Sequence, residues 1–397
     1  MVTESELLRP ARGTRPPNRR QLIVDAAAEL FTRRGYAEVG MGDVAAEVAI
    51  GPSALYRHFR GKQDLLAVVI DNELTKFLEV AEGCAADPTR DAATELATLI
   101  LAHRGVGVLW RREARNLRPA DAAAFRDAAR RIAAAMATYI RARRPDVDDT
   151  SADLLGWCAM AVANSVSFHR LSLPESEFIT LLAQLVTVVL ESEISAPAST
   201  PAPAPRTGGL AVQSRRELIL TQAVPLFAEK GFTEVSVDDI GAAIGITGSS
   251  VYNHFDSKAE ILAAAILRGN EWLRIDLTRI FARTDDPRAG LVGLLSGYSE
   301  VALDNPRLMQ IVISETAHLL EADRHRARAA QHTYIGEWVH LLQLLNPDWS
   351  ATTTRIRVQA ALTMINDAGV TPHRWPSHTL APALTEIGKR LLALPDS

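Results

Sequence analysis

The chain contains an internal copy of part of itself. Residues 19–70 align with 215–266 without a gap at a constant offset of 196, with 21 identities in 52 positions. Phe31 falls on Phe227, Gly35 on Gly231, Tyr56 on Tyr252, His58 on His254, Phe59 on Phe255 and Lys62 on Lys258. Solenoid repeats recur every ~20–50 residues, so a period this long marks a duplicated domain. Whatever the first copy folds into, the second folds into as well, and the 397 residues are expected to hold two like halves.

Between the halves lies SAPASTPAPAPRTGG, residues 195–209. Alternating Pro and Ala favours extended, semi-rigid polyproline geometry, and nothing in the stretch offers side chains for a core. The expected organisation is a flexible basic arm at 1–18, a head at 19–70, a helical domain at 71–194, a linker at 195–213, a second head at 214–266 and a second helical domain at 267–397.

Outside the linker the apolar pattern is helical. Leu22, Ile23, Ala26, Ala27, Leu30 and Phe31 recur at 3.6-residue spacing, and Leu218, Ile219, Ala223, Leu226 and Phe227 repeat the stripe. Long Ala/Leu/Arg/Glu runs predict helices over 121–143, 150–171, 176–193, 322–345, 351–369 and 379–394. No alternating β-branched runs are present, so the expected class is all-α. Pro225 falls inside the first helix of the second half, where a missing N–H predicts a kink or a shortened helix.

Each head reads as three helices. Gly35 and Gly231 are expected to end the first in a left-handed turn. Ser236 to Asp239 is a capping box for the second, against the weaker Gly40 and Asp43 of the first half. After a tight connection, Gly51 and Thr247 suit the N-cap of a short third helix, with Pro52 at its first position. A fourth helix opens at Lys62 or Lys258, with Ser257 and Glu260 as a further box.

Two short helices joined by a tight turn behind a supporting helix outline a helix-turn-helix, which lays its second helix in a DNA major groove. Small residues at that helix's start (Ser53, Ala54; Ser249, Ser250) permit close approach, and Tyr56, His58, Lys62, Tyr252, His254 and Lys258 offer donors to phosphate oxygens. Arg57 suits a guanine edge and Asn253 an adenine edge, if they reach bases rather than phosphates. His58 and His254 suit helix packing equally well. Phe59 and Phe255 read as core. The rival for the whole head is a three-helix packing unit with no nucleic-acid partner.

The pattern LF…GY/F…E-V…D-V/I-A…I…LY-x-HF-x-x-K, present twice, resembles the headpiece of the TetR family of bacterial transcriptional repressors. The segment LWRREARNL at 109–117 further looks like the tandem TetR-type repressors of actinobacteria that control lipid- and sterol-uptake operons. The resemblance implies a cytoplasmic, nucleoid-associated repressor that binds double-stranded operator DNA. It also implies that the helical domains carry ligand binding and dimerisation, so the two halves pair internally through their last two helices as a pseudo-dimer, with a further homodimer possible. The implied effector is small and lipophilic. Trp110, Phe125, Trp157 and His169 in the first half, and Trp272, Met309 and Trp338 in the second, are its candidate lining, with plain core as the alternative for each. Arg111, Arg112 and Arg115 read either as a solvated, salt-bridged face or as a holder for an acidic ligand group.

The two heads differ in charge, +1 over 19–70 and −3 over 215–266, and Arg9, Arg12 and Arg15 precede the first. Phosphate neutralisation dominates affinity, so the first head is expected to grip harder and the pair to read an asymmetric operator. A constitutive DNA binder without ligand control is the rival reading. An enzyme is the other: the ten histidines show no H-x-x-x-H or H-E-x-x-H, and no G-x-S-x-G elbow, Walker loop or dinucleotide fingerprint occurs. The expectation is no catalysis, no cofactor and no metal. Cys158 lies in an apolar run and Cys84 in an exposed-looking stretch before Asp87; two cysteines suit a reducing compartment. No run approaches the ~18 apolar residues of a membrane span, and no secretory signal is visible.

Overall fold

The first head folds as the 3.6-residue stripe requires. In the computed structural model, which describes residues 18–194 and 214–394, α1 spans Arg19–Arg34, α2 Met41–Glu47 and α3 Pro52–Leu55. Ile23, Ala27, Phe31, Val39, Leu55 and Phe59 close a dry core beneath them. The first half continues with α4 Lys62–Ala86, α5 Ala92–Ala102 and α6 Val106–Val108, which runs into a π-helical turn at Leu109–Glu113 and a 3₁₀ turn at Ala114–Asn116. It ends with α7 Pro119–Arg143, α8 Asp149–Asn164 and α9 Glu175–Leu190.

The second half repeats the order: α10 Arg215–Lys230, α11 Val237–Ala243, α12 Gly248–Val251, α13 Lys258–Phe281, α14 Pro287–Asp304, α15 Pro306–Ser314, α16 Glu321–Leu345, α17 Ala351–Ala368 and α18 Leu380–Leu391. Among the described residues no strand occurs, and no single helix is long and apolar enough to cross a membrane. The linker and Arg9, Arg12 and Arg15 lie outside the described residues.

The chain divides into two compact units, and the division does not follow the two halves. One comprises Met1–Tyr139 with Val166–Arg170; the other comprises Ile140–Ser165 with Leu171–Ser397. Thus α8 and α9 of the first half belong to the same unit as the whole second half. There α8 packs along α17 and α9 along α18. Leu154, Leu155, Leu182 and Leu185 from the first half, and Ile356, Ala360, Leu384 and Ile387 from the second, are fully buried. Two hydrogen bonds tie the same two halves: the N–H of Arg374, between α17 and α18, donates to Asp153 Oδ2 at 2.8 Å, and Arg390 Nη1 to the carbonyl of Glu191, just past α9, at 3.3 Å.

Several local expectations need correction. The α10 helix runs unbroken through Pro225 and matches α1 end to end, so it is not shortened. Gly35 and Gly231 have positive φ (90° and 85°) but ψ near 150°, a region open essentially to glycine alone rather than the left-handed helical one. Ser257 caps α13 through the Glu260 N–H, but Glu260 reaches back to the Asp256 N–H instead of closing the box on Ser257. Cys84 is fully buried, because α4 runs on to Ala86 and places it on the stripe of Phe77 and Ala81. Burial pushes its thiol pKa up, and that of Cys158 further.

Candidate nucleic-acid interface

The second helix of each helix-turn-helix begins where the sequence allows the chain to turn sharply. Ala49 (φ 55°) and Gly245 (φ 71°) hold equivalent left-handed positions between α2 and α3 and between α11 and α12. Pro52 opens α3 behind Gly51, and Thr247 caps α12 by accepting from the Ser250 N–H at 3.3 Å. Ser236 and Asp239 complete their capping box at 3.0 and 2.8 Å, whereas in the first head only the Gly40 N–H to Asp43 half exists, at 2.7 Å.

Anchored by buried Leu55 and Phe59, or Val251 and Phe255, each short helix turns its remaining side chains outward. Tyr56 and Tyr252 are 55% and 54% exposed. Ser53, Arg57 and His58, and Ser249 and Asn253, are also exposed; Ala54, Ser250 and His254 are half-buried. The packing alternative for His58 therefore falls away. Both faces present a hydroxyphenyl ring, a small residue and a histidine, with a cation in one (Arg57) and a neutral amide in the other (Asn253).

The lysines play a part that the spacing did not reveal. Lys62 Nζ lies 4.2 Å from the Tyr36 ring centre and donates to the Ala37 carbonyl at 3.2 Å. Lys258 Nζ lies 4.4 Å over Phe232 and donates to the carbonyls of Phe232 and Val235, each at 2.7 Å, and of Thr233 at 3.4 Å. An ammonium has three N–H donors, so Lys258 is fully engaged in holding the loop after α10. Partial burial lowers the pKa of both lysines.

Beneath each head the following domain grips the end of the supporting helix. Arg112 Nη2 donates to the carbonyl of Phe31 (3.1 Å), which also accepts the Gly35 N–H, and to that of Thr32 (3.2 Å), in the last turn of α1, where an α-helix runs out of N–H partners for its carbonyls. Its Nε meets Glu113, a carboxylate only 3% exposed, which also accepts from Asn116 at 3.2 Å. The solvated-face reading of this segment is thus corrected: the π-helical turn rotates Arg112 and Glu113 inward, under α1. Arg111 instead lies 4.9 Å over the Phe168 ring.

In the second half the same work is done by other chemistry. Gln310 Nε2 donates to the Ala228 carbonyl at 3.0 Å, the counterpart of Thr32. Glu315, fully buried, accepts from the Phe232 N–H at 3.1 Å, and His318 stacks on the Phe232 ring at 5.3 Å. These residues were missed because the heads align at offset 196. At offset 202 Glu113 falls on Glu315 and Leu117 on Leu319, and that second register was the signal available.

The candidate lining divides between the two units. In the first, Trp110 meets Phe77 edge-on at 5.2 Å, and Phe125 and His169 are half-buried; Arg104 donates to the carbonyls of Val166 and His169 at 3.0 Å. Beside them Glu73, 6% exposed, accepts from Lys76 at 2.7 Å and lies 3.0 Å from His103 Nδ1. In the second, Trp338 is fully buried against Tyr298 and Tyr334 at 6.2 and 6.1 Å, Met309 is buried and Trp157 half-buried. Trp272 is 41% exposed on the outside of α13, not turned into the core. Among the described residues no cluster of three metal-ligating side chains occurs.

The family model described as bacterial regulatory proteins, tetR family, matches the chain twice, at residues 23–69 and 219–265. The HTH-type transcriptional repressor KstR2 of Rhodococcus jostii (strain RHA1) is 33% identical over 178 residues, 44% of this chain and 85% of that protein. KstR2 of Mycobacterium tuberculosis (strain ATCC 25618 / H37Rv) is 31% identical over 109 residues, 28% of this chain and 54% of that protein. The solved structure of the ketosteroid transcriptional regulator KstR2 of Mycobacterium tuberculosis, 24% identical, covers 46% of this chain and 94% of its own with a TM-score of 0.37. Two family matches at the two heads, and a repressor matched over most of its length, place this chain in the tetR family of bacterial regulatory proteins, as a tandem duplication.

Proposed function

We propose that the chain is a repressor whose two unlike heads read an asymmetric operator, with the halves paired internally and the grip on DNA released by a small lipophilic effector. The observation that carries this reading is the pair of exposed Tyr-x-His faces built on the same buried anchors but differing at Arg57 against Asn253 and Arg60 against Asp256. Arginine suits guanine and asparagine suits adenine, so the half-site preferences differ. Contacts proposed for the first head are Ser53, Ala54, Tyr56, Arg57 and His58, and for the second Ser249, Ser250, Tyr252, Asn253 and His254. Lys62 and Lys258 act by fixing the heads' loops.

The packing of α8 on α17 and α9 on α18 inside one unit supports the internal pseudo-dimer, because these are the last two long helices of each half. The clasps at Arg112–Glu113 and Gln310–Glu315 support the switch. A ligand that favours one arrangement of the core shifts the segment under α1 or α10, and with it the head, by its differential affinity for the two states. The aromatic groups around Trp110 and Trp338 suit an apolar ligand.

The test is an unbiased selection of DNA sites on the intact chain and on full-length Tyr56→Ala/Arg57→Ala and Tyr252→Ala/Asn253→Ala variants. Two dissimilar motifs at one fixed separation, each lost with its own head, are expected. A single palindrome, or loss of both motifs together, overturns the asymmetric reading.

A further inference from the structure

A groove of about 410 Å³ lies in the second unit between the outer face of α9 and the corner where α16 gives way to α17. One wall carries Glu177, Thr180 and Gln184 from the first half; the other carries Trp349, Thr353 and Arg357 from the second. Arg357 is the anomaly. Counted from the N-caps of α8 and α17, Asp148 and Ser350, it holds the place that Leu155, fully buried, holds in the first half. The duplication has put a guanidinium where its copy keeps a core aliphatic.

That guanidinium is poorly satisfied. It lies 4.3 Å over the Trp349 ring, and Nη1 donates to the Leu391 carbonyl at 3.1 Å, capping the end of α18. Capping accounts for one of its five N–H groups. Nε is buried without an acceptor, and among the described residues no carboxylate pairs with the guanidinium; Glu177, exposed at the rim, stands outside ion-pair range. Burial alone displaces its pKa, downward, with nothing to oppose it. A half-buried charge without a counter-ion is costly, and Nη2, which has no hydrogen-bond partner among the described residues and is not buried, leaves charge-assisted N–H donors for a carboxylate in the groove.

We propose that this groove is a binding site for a monoanionic organic carboxylate, held by the Nη2 group of Arg357 with its apolar body along Trp349. Thr353, Thr180 and Gln184 supply polar contacts around it. The Glu177 carboxylate at the rim disfavours dianions such as phosphate monoesters. Both walls are needed, so the bound acid bridges the first half's last helix to the second half's α17. The site is separate from the heads and from the aromatic cores, and it stands independently of what the heads read.

The test titrates the full-length protein with benzoate, hexanoate, phenyl phosphate and benzyl alcohol, followed by calorimetry and by the thermal midpoint. Benzoate or hexanoate is expected to bind at millimolar concentration or below and to raise the midpoint, with phenyl phosphate weaker and benzyl alcohol inert. Arg357→Leu restores the residue of the first half, so it is expected to fold with an equal or higher midpoint while weakening carboxylate binding at least about tenfold, the ~1.4 kcal/mol of one lost charge-assisted contact. Arg357→Lys keeps the charge but not Nη2 and is expected to weaken it as well. Equal binding by wild type and Arg357→Leu, or no heat and no shift with either acid, overturns the site.

Discussion

The Glu315 carboxylate, wholly buried in the second half's core, accepts the backbone N–H of Phe232, the second residue of the loop that leads from α10 to α11. A side chain of the helical domain that follows thereby fixes the backbone of the head. Losing a buried acceptor of this kind costs about 1–3 kcal/mol. Glu315→Ala is therefore expected to speed hydrogen exchange of the Phe232 amide and lower the head's stability, and Glu315→Gln, which keeps an acceptor, to do so less. Unchanged protection of that amide in Glu315→Ala would sink the clasp.

The turn before the recognition helix offers a stability test with opposite signs in the two heads. Ala49 sits at φ 55° and Gly245 at φ 71°. An L-residue held there costs about 1–2 kcal/mol, against about 0.5–1 kcal/mol of extra chain entropy lost by glycine. Ala49→Gly is expected to stabilise by about 0.5–1 kcal/mol and Gly245→Ala to destabilise by a similar amount. Urea midpoints of the two variants decide it; the same sign for both would refute the strain argument.

Arg57 and Lys258 separate contact from scaffold. Arg57→Ala removes an exposed cation, so the thermal midpoint is expected to hold while DNA affinity drops and the salt slope falls by about one. Lys258→Met removes three carbonyl contacts at the base of the second head and is expected to cost about 1–2 kcal/mol of stability. A Lys258→Met protein as stable as wild type would return that lysine to the DNA surface.

Glu73 predicts an acid limb. Burial raises its pKa, but the hydrogen bonds from His103 and Lys76 outweigh burial and leave it below the ordinary 4.5. A depressed carboxyl contributes stability that is whole above the unfolded value and is lost as pH falls through the folded one. Wild type is expected to lose stability below about pH 4.5 more steeply than Glu73→Gln. Parallel pH profiles for the two proteins, read by denaturant midpoints, would contradict this.

The heads were legible because what builds them is local. The Phe31 and Phe227 stripes, the Ser236 cap and the Gly51-Pro52 start all lie within one or two turns of what they control. The clasp was not legible. Arg112 meets the Phe31 carbonyl across 81 residues, and its inward rotation depends on a π-helical turn that side-chain periodicity does not encode. Cys84 was misjudged because Asp87-Pro88 suggested a loop, whereas α4 keeps its apolar face right up to that break, ending at Ala86. Pro225 misled in the other direction: the clash it brings was absorbed without ending the helix.

Leu155 and Arg357 carry one more implication. When two separate copies of a protein meet about a two-fold axis, each residue at the seam occurs on both sides, so any change is made twice. Along α8 and α17 each position belongs to one side alone. A methyl-rich side chain on one helix and a guanidinium on the other can thus be selected independently, and the seam is free to acquire chemistry that two-fold-related partners would have to carry in duplicate.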